Sequence, residues 1–142
     1  MKTSARNQFE GTVKSITRGA VNDELSLDIG NGAFITAIIT KESTAELGLA
    51  VGNKAFALVK ASSVILATDL DGVKLSTRNQ LTGSVTEVTK GAVNTEVVVE
   101  IAPGKLITTI VTNHSAENLG LTVGVKATAI VKASHVILGV KA

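Results

Sequence analysis

The chain of 142 residues has no cysteine, tryptophan or tyrosine, only three phenylalanines and only two histidines. Without cysteine it has neither a disulfide framework nor thiol chemistry, and nothing points outside the cytoplasm. The aromatics, Phe9, Phe34 and Phe56, all lie in the first half. A single-strand nucleic-acid binder needs stacking platforms, and the second half has none. No apolar run reaches the length that spans a bilayer, and Met1-Lys2-Thr3-Ser4-Ala5-Arg6 is polar, so neither a membrane segment nor a secretory signal is expected. Charge of one sign is also scarce. The formal net charge is +2 with lysine and arginine dispersed, which is weak footing for binding a phosphate backbone. A hydrophobic fraction of 44% and a charged fraction of 18% describe a soluble globular chain.

What the sequence does have is an internal repeat. Sliding it against itself aligns Ser4 with Ser76, an offset of 72, and the alignment runs without a gap to Leu66 and Leu138. About half the aligned positions are identical. Two units follow, 1–69 and 76–142, with 70–75 as a polar connector. Units that small bury a meagre core alone, so contacts between units, within and between chains, are expected.

Each unit reads as all-β with one short helix. Phe9 to Thr17 is rich in β-formers, with Val13 and Ile16 on opposite parity, which predicts a bulge near Gly11 or Lys14. Leu25, Leu27 and Ile29 alternate with polar residues, and Gly30-Asn31-Gly32 turns the chain into a strand from Phe34 to Thr40. Ser43 to Gly48 predicts a helix with Ser43 as N-cap and Glu46 completing a capping box. Lys54 to Val59 is the fourth strand, and Val64 to Leu66 closes the same unit as a fifth. Five strands with a helix between the third and fourth make two tandem OB-fold-like barrels.

Val59-Lys60-Ala61-Ser62 recurs as Val131-Lys132-Ala133-Ser134, and Ser4-Ala5-Arg6-Asn7-Gln8 as Ser76-Thr77-Arg78-Asn79-Gln80. A cation and a small hydroxyl kept together among apolar strand residues suggest an anion held at a strand end, against the bland alternative of a solvated lysine. With Gly11-Thr12-Val13, Gly19-Ala20-Val21-Asn22, Ile38-Ile39-Thr40 and Leu47-Gly48-Leu49, these stretches resemble the Mop domain of molybdate-binding proteins, and two copies resemble the di-Mop molbindin family. The resemblance implies OB-like barrels, molybdate or tungstate bound at interfaces between Mop domains, cytoplasmic molybdenum storage, and a ring of six domains. With two domains per chain, that ring is a homotrimer.

The residue chemistry fits an oxyanion. Arg6 with Lys60, and Arg78 with Lys132, supply charge; Ser4, Ser62, Ser76 and Ser134 supply donors, with backbone N–H groups at Ala61 and Ala133. Thr40 and Ser43, and their copies Thr112 and Ser115, sit where a helix start favours an anion, with plain capping as the alternative. For Arg6 the alternative is a surface ion pair with Glu10 or Glu24. One barrel does not bring both sets onto one ion, so composite sites are expected, with Thr112 and Ser115 completing the first unit's cluster and Thr40 and Ser43 the second's. Gly19-Ala20-Val21-Asn22 and Gly91-Ala92-Val93-Asn94 read as turns, or as backbone donors of a second class of site. A shell made only of donors disfavours phosphate, which keeps a proton at neutral pH.

An enzyme is not expected. No hydroxyl, base and acid set recurs, and His114 and His135 align with Glu42 and Ser63 of the first unit, so surface roles suit them. The other rivals are a nucleic-acid-binding OB module and a molybdate-sensing regulator. Neither has a helix-turn-helix segment outside the two units to support it.

Overall fold

Alternation of buried and exposed residues sets ten strands in the computed structural model, which describes residues 1–142. The first half holds β1 (Arg6–Arg18), β2 (Asn22–Gly30), β3 (Ala33–Thr40), α1 (Lys41–Glu46), β4 (Lys54–Lys60) and β5 (Ile65–Ala67). The second half repeats it with β6 (Asn79–Lys90), β7 (Asn94–Ala102), β8 (Lys105–Thr112), α2 (Asn113–Asn118), β9 (Lys126–Val131) and β10 (Ile137–Gly139). A 3-10 turn precedes each short last strand, at Ala61–Ser63 and at Ala133–His135. The β1–β2 register shifts between Val13 and Ser15, which puts the expected bulge at Lys14, and the copy shifts between Val85 and Glu87. The hairpin after β2 turns through three residues of positive φ, Gly30, Asn31 and Gly32.

The two five-stranded curled sheets run β10-β4-β1-β2-β3 and β5-β9-β6-β7-β8. The last strand of each unit has crossed to the other. Val64 to Leu66 therefore does not close its own unit: Leu66 pairs with Ala129 of β9, and Leu138 pairs with Ala57 of β4. The pattern is the same in both copies, so either pairing buries the same side chains. Val64, Leu66, Val136 and Leu138 are all buried, each transferring roughly 1.5–3 kcal/mol of hydrophobic stabilisation to the opposite half. Gly139 fits only because it lacks a side chain, since a Cβ there would lie 2.4 Å from the Phe56 ring.

One apolar cluster of 25 residues draws on both halves, from Phe9 and Leu25 to Val97, Ile107 and Leu138. The meagre core expected of one unit is thus merged with its copy's. Polar contacts join the halves as well. The Asn7 amide donates to Thr108 O and accepts from Thr108 N, both at 2.7 Å, and Asn79 does the same with Thr36 at 2.7 Å. These clasps satisfy backbone groups on β3 and β8, the outer strands of the two sheets. The hairpin tips meet too, where Asn31 Nδ2 donates to Pro103 O at 2.6 Å.

Candidate functional site

Thr40 ends β3 in extended conformation, and its Oγ1 accepts from Ser43 N at 3.1 Å. Thr40 is therefore the N-cap of α1, and Ser43 is not; Thr112 caps α2 identically through Ser115 N at 3.1 Å. Thr40 and Ser43 are hydroxyls three residues apart, so either can cap by sequence, and the helix starts one turn earlier than Ser43 predicts. The cap has a chemical consequence. Thr40 spends its own proton on Ser43 Oγ at 2.8 Å, so the Ser43 hydroxyl keeps a proton with no acceptor in the chain. Thr112 and Ser115 repeat this at 2.9 Å.

Strand exchange carries the other half of the site to these hydroxyls. The turn Ala133–His135 packs on β3, and the turn Ala61–Ser63 packs on β8. Thr109, fully buried, fixes the latter by donating to Val64 O at 2.7 Å. The result is an open cleft of about 510 Å³ lined by Thr40, Ser43, Asn22, Glu46, Ser134 and apolar residues of β3 and β10. Thr40, Ser43 and Ser134 line it together. Ser76, Arg78, Lys132 and Ala133 do not line it. Ala61 and Ala133 are buried, and Ser4, Ser62 and Ser76 are exposed.

Arg6 and Lys60 stand directly opposite each other in the β1–β4 ladder. Like charges so placed repel. Arg6 relieves this by binding Glu96 at 2.7 Å, and Arg78 binds Glu24 at 2.7 Å. An ion pair was the alternative for Arg6, with Glu10 or Glu24 as partner; its partner is instead Glu96 of the other half, and Glu24 pairs with Arg78. Glu10 instead meets Lys141 at 3.4 Å. The Glu96 hydrogen bond, then its charge, raises the already high pKa of Arg6. Glu96 lies two residues beyond Asn94, which pairs with Thr112, so Arg6 belongs to the end of the sheet that carries Thr112 and Ser115. Lys60 and Lys132 make no ion pair.

Two features were not foreseen. Glu46 puts a carboxylate into a cleft expected to hold donors alone, and it has no hydrogen-bond or ion-pair partner. Its reading as a capping-box residue had accounted for it, and only the N-cap shift releases it. Asp23 is the second: fully buried, it accepts from Gly19 N at 3.2 Å. The Thr44 hydroxyl, 3.3 Å from Thr40 O, can turn its proton to the other carboxylate oxygen. That bond, outweighing burial and aided by Gly19, Arg18 and Lys41, holds Asp23 below the usual carboxylate range. Asp23 thereby pins the Gly19-Ala20-Val21-Asn22 turn, while Val21 O accepts Lys41 N at 3.0 Å. In the copy, Gly91 N donates to Asn94 O at 2.8 Å, and Val93 O accepts Asn113 N at 3.0 Å. Turn chemistry thus accounts for these carbonyls, with Val21 and Val93 left exposed. His114 and His135 are exposed, and His114 Nε2 lies 3.0 Å from Asn118 Nδ2. No helix is long and apolar enough to cross a membrane.

The exchanged last strands define a class, tandem OB-like domains that complete one another. The TOBE domain model matches residues 3–66 and 75–138. The chain belongs to the TOBE-domain family, as a two-domain Mop-type member. It is 49% identical over 138 residues to the molybdenum-pterin-binding protein MopA of Rhodobacter capsulatus, covering 97% of this chain and 52% of that one. It is 46% identical over 140 residues to the molybdenum transport protein ModE of Azotobacter vinelandii, covering 99% and 52%. The chain thus spans about half the length of these curated relatives. Among solved structures it matches the cytoplasmic molybdate-binding protein ModG, in a form with molybdate bound, with a TM-score of 0.96 and 48% identity. That match covers 99% of this chain and 100% of the other.

Proposed function

We propose that this protein is a non-enzymatic, cytoplasmic binder of molybdate and tungstate that stores or buffers molybdenum, holding the oxyanion in clefts between its two halves. The observation that carries the reading is the meeting of Ser43, with its free proton, and Ser134 from the other half in one cleft. A tetrahedral dianion needs several directed donors and nearby positive charge; Lys132, close to Ser134 in the chain and without an ion pair, is free to supply it, whereas Arg78 is held by Glu24. In this reading the matching site sets Ser62, Arg6 and Lys60 against Thr112 and Ser115. The relatives described above support the choice of anion.

The reading includes a homotrimer, a ring of six domains. Supporting it, exposed apolar residues recur in matched pairs on the two halves: Val21 with Val93, Val51 with Val123, and Ile65 with Ile137. Such repeated patches are what a symmetric assembly covers. The Gly19-Ala20-Val21-Asn22 and Gly91-Ala92-Val93-Asn94 turns would meet copies of themselves there and offer backbone N–H groups to a second class of anion. A second reading, favoured by a match of 32% identity over 139 residues to the transcriptional regulator ModE of Yersinia pestis, of which the chain covers 52%, is that the domain pair serves as the anion-sensing half of a regulator.

Calorimetric titration of the apo protein with molybdate, tungstate, sulfate and phosphate tests the main reading. Saturable heats for molybdate and tungstate with weaker sulfate binding are expected, and equal heats for all four refute selective binding. A gel shift with single- and double-stranded DNA at low salt tests direct nucleic-acid binding, and tight binding there counts against storage.

A further inference from the structure

Beside Asn22, in the wall of the cleft that joins Ser43 and Ser134, stands a fully buried carboxylate, Asp23. We infer that Asp23 is a positioning residue for that cleft: it ties the Gly19-Ala20-Val21-Asn22 turn to α1, and so sets where Asn22, Thr40 and Ser43 present their polar groups. The inference rests on the oxyanion role proposed for the cleft.

Three links connect turn and helix. Gly19 N donates to Asp23 Oδ1 at 3.2 Å, which closes the turn. Thr44, the buried residue of α1, holds its hydroxyl between Thr40 O, at 3.3 Å, and the unpartnered Asp23 Oδ2. Lys41 N, at the start of the helix, donates to Val21 O at 3.0 Å. The turn has no slack, since a Cβ at Gly19 would lie 2.3 Å from Asn22 O. Asn22 stands opposite Thr40 in the β2–β3 ladder, so a shift of the turn or of the helix start moves both. Asp23 and Thr44 do not themselves line the cleft and act on it only through these neighbours. Arg18, 3.8 Å from Asp23, and the charge of Lys41 offset the carboxylate, so it does not oppose an anion in the cleft.

The second half makes the same connection with other residues. Thr95 stands where the first half has Asp23, Asn113 where it has Lys41, and Ala116 where it has Thr44. Thr95 Oγ1 donates to Asn113 Oδ1 at 2.6 Å, and Asn113 Nδ2 donates to Gly91 O at 3.0 Å. A neutral pair thus joins turn, strand and helix start where the first half uses a carboxylate. The connection recurs and the charge does not, as a positioning role requires.

Molybdate titration of the full-length chain as wild type, Asp23→Ala, Asp23→Asn and Thr44→Val, with urea unfolding of the same proteins, tests this. Asparagine keeps an oxygen for Gly19 N and can donate to the Thr44 hydroxyl, so it preserves the links without the charge. Thr44→Val keeps the shape of the side chain and reads the connection even where Asp23→Ala fails to fold. Asp23→Ala and Thr44→Val are expected to weaken molybdate binding about tenfold at the sites built on Ser43, and Asp23→Asn to retain it. A lowered unfolding midpoint with unchanged molybdate affinity in Asp23→Ala and Thr44→Val makes both residues structural only and overturns the inference. A loss in Asp23→Asn as large as in Asp23→Ala also overturns it, since the effect then lies in the charge. If the wild type binds no molybdate, the proposed function fails instead, and amide exchange at Lys41 decides the role of Asp23. Faster exchange in Asp23→Ala or Thr44→Val than in wild type and Asp23→Asn upholds the connection, and equal exchange in all of them overturns it.

Discussion

Asn7 and Thr108, 101 positions apart, join like two peptide groups of a β-ladder: the Asn7 amide donates to Thr108 O and accepts from Thr108 N, each at 2.7 Å. Because Asn7 is buried and Thr108 sits on the outer strand of its sheet, removing the amide leaves a backbone donor and acceptor without partners. Asn7→Ala should lower stability by about 2–4 kcal/mol in urea unfolding, and Asn79→Ala by a similar amount. A loss below about 0.5 kcal/mol would show that water replaces the clasp at little cost.

Strand exchange dictates how an isolated half behaves. A 1–69 fragment ends in β5 with no β9 to pair, and its β4 lacks β10. Two fragments can trade these strands and restore both sheets, so light scattering should find a dimer or a multiple of it at micromolar concentration. A folded monomeric fragment would mean that β5 can close its own sheet.

Glu96 and Glu24 occupy the guanidinium groups proposed to face the anion. Exposed ion pairs add little stability, so Glu96→Gln should scarcely change the unfolding midpoint. It should instead free Arg6 and tighten molybdate binding several-fold at the site proposed for Thr112 and Ser115. Unchanged affinity would make Arg6 a clamp between halves and remove it from the site.

Asp23 gives the fold a pH dependence in acid. Its folded pKa lies below the unfolded value, so the unfolded chain takes up the proton first as pH falls. The stabilisation is fully present above the unfolded value of about 3.9 and is lost as pH drops through the lower folded value. Asp23→Asn should flatten this acid limb of the stability curve while leaving the neutral region nearly level. An acid limb identical to wild type would assign the dependence to other carboxylates.

Much of this was legible in the residues. The offset between Ser4 and Ser76 gave the repeat, alternation at Leu25, Leu27 and Ile29 gave β2, and the parity change between Val13 and Ile16 marked the bulge at Lys14. The exchange of β5 and β10 was not legible, because Val64 to Leu66 and Val136 to Leu138 bury equally well in either half. The roles of Arg6 and Arg78 hid for the same reason: their carboxylate partners lie in the opposite unit. Asn7 carried a signal that went unused, a polar residue on the inward parity of β1, in line with Phe9 and Val13, recurring as Asn79. Glu46 was masked by Ser43, since Ser43 with Glu46 spells a capping box, whereas the N-cap of the helix is Thr40.

The central claim is that each anion is shared between the two halves, and molybdate titration of Ser43→Ala, Ser134→Ala and the double variant tests it most directly. Both hydroxyls line one cleft, so each single change should weaken about half the sites roughly tenfold, and the double variant should leave the other half at wild-type affinity. If the double variant weakens every site, Ser43 and Ser134 serve different ions and the composite cleft is wrong.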